Sequence, residues 1–132
     1  MSKPIFWNHA CEELSKKDKV IKLFINKYNK DYIIESKNPF KTLCRSIISQ
    51  QISTTAAKSI YEKFELLSSL IPDKIIKTSD YEFRKIGLSK QKISYIKTLS
   101  EKVTSEKINL VQLKTLQPEK TFKTLTELKG IG

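Results

Sequence analysis

At 132 residues the chain has length for one domain with a real core and not for two. Lys+Arg 25 against Asp+Glu 14 gives a formal charge of +11, which favours a polyanionic partner such as nucleic acid or an acidic membrane surface. Cys11 and Cys44 lack the clustered spacing of a zinc or iron–sulfur site, which points to a reducing cytoplasm, and no apolar run approaches the roughly 18 residues of a membrane span.

Lys3-Pro4-Ile5-Phe6-Trp7 is too short and broken for a signal peptide. Ser15 with Asp18 reads as a capping box, after which Val20, Ile21, Phe24, Ile25 and Tyr28 form the buried stripe of a first long helix. The polar stretch from Asn29 to Lys37 reads as a connector. Asn38 as cap and Pro39 in the first helical position open the next helix, with Phe40, Leu43, Cys44, Ile47 and Ile48 inward. It ends in Ser49-Gln50-Gln51-Ile52-Ser53. Ser53 then caps a helix whose inner face is Ala56, Ala57, Ile60, Tyr61 and Phe64. Two adjacent glutamines at a helix-to-helix corner admit two readings. They form a polar loop, which spacing alone favours, or their amides fill the space a base leaves and pair with the orphaned strand.

Pro72 starts a short helix through Ile75 and Ile76, and Ser79 with Glu82 makes a capping box before Phe83 and Ile86. Gly87 ends that helix. Ser89 starts another, in which Lys92, Tyr95, Ile96, Leu99 and Val103 recur at helical spacing, and Leu110, Val111 and Leu113 mark a short helix. Pro118 opens the last one, with Phe122, Leu125 and Leu128 on one face, and Gly130 falls where a left-handed C-terminal cap belongs. Scarce glycine and a helical apolar period throughout make the fold all-α. Gly130-Ile131-Gly132 can be a simple helix stop. It can also be half of a helix-hairpin-helix, in which glycines at positive φ turn bare N–H groups outward to meet a phosphate.

Taken together, three stretches resemble the helix-hairpin-helix (HhH-GPD) DNA glycosylases, and among them the DNA-3-methyladenine glycosylase II group. They are Asn38-Pro39-Phe40 through Ile47-Ile48-Ser49-Gln50-Gln51-Ile52-Ser53 with Ala56-Ala57; Ile86-Gly87-Leu88-Ser89 with Lys92, Tyr95-Ile96 and Leu99; and Leu125 through Gly132. The resemblance implies one glycosylase domain over 1–132, with 1–37 as an N-terminal helical part and 38–132 matching the family. The implied activity is hydrolysis of the N-glycosidic bond of alkylated purines in double-stranded DNA by base flipping, as a monofunctional enzyme, a monomer when complete, in the cytoplasm or nucleus. Gln50, Gln51 and Ser53 match the family's minor-groove loop, with Gln51 as the wedge. Lys129, Gly130, Ile131 and Gly132 match the phosphate-binding hairpin, whose carbonyls help hold a monovalent cation in a complete domain. Lys90 and Lys92 are offered as phosphate contacts.

The resemblance also implies a departure. The family's catalytic aspartate lies past the second hairpin helix, beyond Gly132, so no catalytic residue is assigned and the chain as written is expected to be inactive. Asp73 and Asp80 sit at helix starts, where capping explains them. Helices following the hairpin would cover Val20, Ile21, Phe24 and Phe122, so these are expected partly uncovered here. The alternatives are a non-catalytic DNA-binding or protein-interaction helical module, or a gene fragment.

Overall fold

Side-chain caps set most helix starts in this structure, a computed structural model that describes residues 3–132. The chain divides into two units, one ending at Lys37 and one beginning at Asn38. No strand occurs among the described residues, so the fold is all-α as expected.

The first unit holds α1 (Trp7–Lys17) and α2 (Lys19–Lys27). The predicted Ser15–Asp18 capping box does not form, because Ser15 is inside α1. Asp18 is instead the joint: its carboxylate accepts from the amides of Val20 and Ile21 at 2.8 and 3.0 Å, while its own amide closes α1 on Leu14. The predicted stripe of α2 is present as a pattern and is not buried. Val20 and Phe24 are 60% and 57% exposed, and Tyr28, stacked on Phe24 at 6.5 Å, is exposed too. Two short helices joined by one residue have too little surface to enclose each other's apolar faces.

The second unit comprises α3 (Pro39–Ser49), α4 (Thr54–Ser68), α5 (Pro72–Lys77), α6 (Asp80–Lys85), α7 (Lys90–Thr104), a 3₁₀ turn (Gln112–Thr115) and α8 (Pro118–Thr126). Asn38, Ser53, Ser79 and Ser89 each cap the helix that follows, and the Ser79–Glu82 capping box is complete. Helix α7 packs against α3, α5 and α6. Its Ile93, Ile96 and Leu99 meet Cys44, Ile47, Ile48, Phe64, Ile75 and Phe83 in one core. Phe64 and Phe83 lie ring to ring at 5.8 Å.

The loop from α6 delivers α7 to this position. At the end of α6 the Leu88 amide donates to Phe83 at 3.2 Å and the Gly87 amide to Arg84 at 3.0 Å, with Gly87 at φ +102. This is a Schellman end, and its left-handed residue needs glycine. The side chain of Ile60 closes over Gly87, so a Cβ there would lie 3.2 Å from it.

Two expectations near the C-terminal end change. The segment after Leu110 is a 3₁₀ turn beginning at Gln112, which leaves Val111 71% exposed. Helix α8 stops at Thr126, so Leu128 and Gly130 lie in the turn beyond it, and Gly130 is not its immediate cap. Leu128 is buried, Leu125 half-buried and Phe122 70% exposed, so the face of α8 is covered only toward its end.

Candidate nucleic-acid interface

Two segments 80 residues apart in the chain meet at the mouth of an open cavity of about 580 Å³. One is the α3–α4 corner and the other the turn after α8. The cavity is lined by Gln50, Gln51, Ile52, Ser89, Gln91, Lys92, Tyr95, Gly130 and Gly132. No carboxylate is in that lining. In the sequence the two glutamines and the two glycines belong to separate motifs, and the fold sets them around one cavity.

The corner is built tightly. Gln50 takes extended backbone at the end of α3, Gln51 follows at φ +58, and the Ser53 hydroxyl accepts from the Ala56 amide at 3.2 Å to start α4. A left-handed non-glycine residue costs of order 1 kcal/mol and persists where its surroundings fix it. What fixes it is the ammonium of Lys92, which donates to the carbonyls of Ile48 and Gln50, both at 2.7 Å. A cation on the last carbonyls of a helix satisfies acceptors that lack intrahelical partners. Burial lowers the pKa of Lys92 below the ordinary lysine value. The offered phosphate contact therefore spends two of its three N–H donors inside the protein.

Across the cavity, the side-chain amide of Gln50 donates to the Gly130 carbonyl at 2.6 Å. Gly130 stands at φ +89 against the face of Tyr95, where a Cβ would come within 2.8 Å of Cγ of the ring. Only glycine allows that approach. The Tyr95 hydroxyl accepts from the Gln91 amide at 2.6 Å, which fixes the ring. Tyr95 is a cavity-lining residue that its helical spacing hid, since a half-buried aromatic in an apolar stripe reads as core. Of the other tyrosines, Tyr61 is buried beneath Lys41 and Arg45, and Tyr81 is 70% exposed on α6.

The turn makes a partial nest. The Ile131 amide donates to the Leu128 carbonyl at 3.0 Å, so it does not point outward as expected. The amides of Gly130 and Gly132, at φ +89 and +106, have no partner among the described residues. Free amides on left-handed backbone suit an anion. Lys90 and Lys129 are exposed and make no ion pair among the described residues, which adds positive charge nearby. The Leu128 and Gly130 carbonyls of the turn each accept one hydrogen bond.

Neither aspartate singled out at a helix start lines the cavity. Asp80 lies in the first turn of α6 and pairs with Lys97 at 2.6 Å, and Asp73 lies in the first turn of α5. Cys44 is fully buried in the core, and burial pushes its thiol up to about 12, so it is inert packing.

A helical domain that sets a strained polar corner beside a glycine turn with free amides has the layout that the resemblance to base-excision glycosylases implies. Comparison with known proteins agrees. Residues 44–129 match the family described as HhH-GPD superfamily base excision DNA repair protein, and the chain belongs to that family. It is 31% identical over 120 residues to DNA-3-methyladenine glycosylase 1 of Schizosaccharomyces pombe, covering 86% of this chain and 52% of that protein. A crystal structure of DNA-3-methyladenine glycosidase from Bacillus halodurans superposes with a TM-score of 0.72 at 34% identity, over 77% of this chain and 48% of that one. A Schizosaccharomyces pombe 3-methyladenine DNA glycosylase in complex with abasic DNA gives a TM-score of 0.68 at 31% identity, over 75% and 50%. The chain spans about half the length of these relatives. No described helix is long and apolar enough to cross a membrane.

Proposed function

We propose that this protein serves in the excision of alkylated purines of the 3-methyladenine type from double-stranded DNA. In this reading the 132 residues supply the grip and the wedge of a monofunctional glycosylase, acting in the cytoplasm or nucleus. The observation that carries it is the joining of the Gln50–Gln51 corner to the Gly130–Gly132 turn, with a hydrogen bond of 2.6 Å across 80 residues. Gln51, exposed and two residues before Ser53, enters the duplex as the damaged nucleotide leaves it. The free amides of Gly130 and Gly132, helped by Lys90 and Lys129, take a backbone phosphate.

Cleavage of the N-glycosidic bond passes through a transition state of oxocarbenium character, which a carboxylate close to the sugar stabilises. An alkylated purine already carries positive charge and leaves readily, so one carboxylate can suffice. The cavity has none among its lining residues. The 132-residue chain is therefore proposed to bind DNA without cleaving it, and its cavity favours a second reading, a non-catalytic DNA-binding module. The test is release of 3-methyladenine and 7-methylguanine from methylated DNA. Release no faster than the spontaneous background is expected, because each 1.36 kcal/mol of lost stabilisation is about tenfold in rate. Release above background would overturn the claim of inactivity. Failure to bind duplex DNA at low salt would overturn both readings.

A further inference from the structure

The Gly130–Ile131 peptide unit is pinned at both ends. Its carbonyl accepts from the Gln50 side chain at 2.6 Å and its N–H donates to Leu128 at 3.0 Å. That plane cannot turn without breaking one bond or the other, and it sits between the two free amides of the turn. On the other side of the cavity Gln50 is held twice, by its side chain on Gly130 and by its own carbonyl on Lys92 at 2.7 Å. The next residue is Gln51, left-handed at φ +58 with its side chain exposed. So one residue, Gln50, links the anion-binding turn to the backbone that aims Gln51.

We propose that Gln50 and Lys92 are positioning residues that couple phosphate seating on the Gly130–Gly132 turn to insertion of Gln51 into the duplex. The inference rests on the reading of Gln51 as the wedge. A phosphate bound by the turn fixes Gly130, Gly130 fixes the Gln50 side chain, and Lys92 holds the Gln50 main chain so that Gln51 cannot fold back. Grip and wedge then act as one rigid caliper, with its span set by two hydrogen-bonded links. In the absence of the links the turn still holds a phosphate, but Gln51 loses its fixed aim and inserts less often.

The experiment uses the full chain and two probes. Fluorescence anisotropy on an undamaged duplex reads phosphate grip. A duplex carrying a tetrahydrofuran abasic analogue beside 2-aminopurine reads insertion, because the probe brightens at saturation when its stack is opened. Gln50→Met keeps the bulk and removes the donor. Its brightening at saturation, with saturation checked by anisotropy, is expected to fall about fivefold, the change expected for one lost hydrogen bond. Lys92→Met is expected to reduce brightening in the same way, and the double variant to fall by less than the product of the two losses. Gln51→Ala separates the underlying reading from this one, and should bind and not brighten.

Full brightening by Gln50→Met, with Gln51→Ala dark, would sink the coupling and leave the wedge standing. Brightening by Gln51→Ala equal to the parent, or no brightening by the parent, would sink the wedge reading and the coupling with it. If circular dichroism shows that Gln50→Met has lost its fold, Lys92→Met decides: reduced brightening supports the coupling and full brightening overturns it.

Discussion

Helices α2 and α7 carry similar apolar stripes and have opposite fates. In α7 the stripe is closed over by α3, α5 and α6, and Ile93, Ile96 and Leu99 are almost wholly buried. In α2 the stripe of Val20, Ile21 and Phe24 stays open among the described residues. Amphipathic spacing fixes which face wants cover, and it says nothing about whether a partner is there. The second unit has its cover because three other helices reach α7 from different directions, whereas within the first unit α2 packs against α1.

The sharpest way to break this contrast is to truncate one phenylalanine in each region. Phe64→Ala empties a fully buried site and is expected to lower stability by about 3–5 kcal/mol, while Phe24→Ala should stay within about 1 kcal/mol. Urea denaturation measures both. Equal losses would mean that α2 is covered in solution. The two thiols offer a second comparison, since Cys44 is buried and Cys11 half-buried. Native-state alkylation should modify Cys11 at least about a hundredfold faster, because Cys44 reacts only through opening of the core. Similar rates would show that the second unit opens readily.

A smaller effect is expected at the turn. Gly130→Ala drives a Cβ into the Tyr95 ring on backbone at φ +89, so it should cost about 1–3 kcal/mol and weaken DNA binding. A variant as stable as the parent would mean that the ring gives way. Stability should also fall in base. The Cys44 thiol is pushed up to about 12 by burial, from an ordinary value of 9.0, so the folded chain keeps a proton that the unfolded chain releases. Its contribution is complete below about pH 9 and is lost as the pH rises toward 12. Cys44→Ala would remove that part of the pH dependence, read as a flatter denaturation midpoint across this range. Smallest of all, Ser53→Ala removes the cap of α4 and should cost about 1 kcal/mol. A loss beyond about 2 kcal/mol would mean that the corner depends on more than its cap.

Much of this was legible from local chemistry. Asn38-Pro39, Ser53, Ser79 with Glu82, and Ser89 each act within a few residues of themselves, so the helix starts they imply appear where the sequence puts them. Where the local signal was double, it misled: Asp18 could serve a capping box or cap a second helix, and it caps the second helix. The segment past Leu110 had apolar residues but no cap, and it formed only a 3₁₀ turn.

What the sequence by itself determined is the all-α class, the core faces of α3, α4 and α7, and the residue types at the corner and the turn. Caps, glycines and helical periods act over one or two turns of chain, which a linear reading can see. Only the tertiary structure decided what those residues touch. Lys92 reads as a surface lysine or phosphate contact until the fold sets it on two carbonyls 42 and 44 residues away. Gln50 reads as half of a polar loop until its amide meets Gly130, and Tyr95 reads as core until a glycine lies against its ring. Those contacts depend on how α7 is held between α3 and the turn after α8. A hydrogen bond between residues 80 apart leaves no periodicity in the chain to announce it.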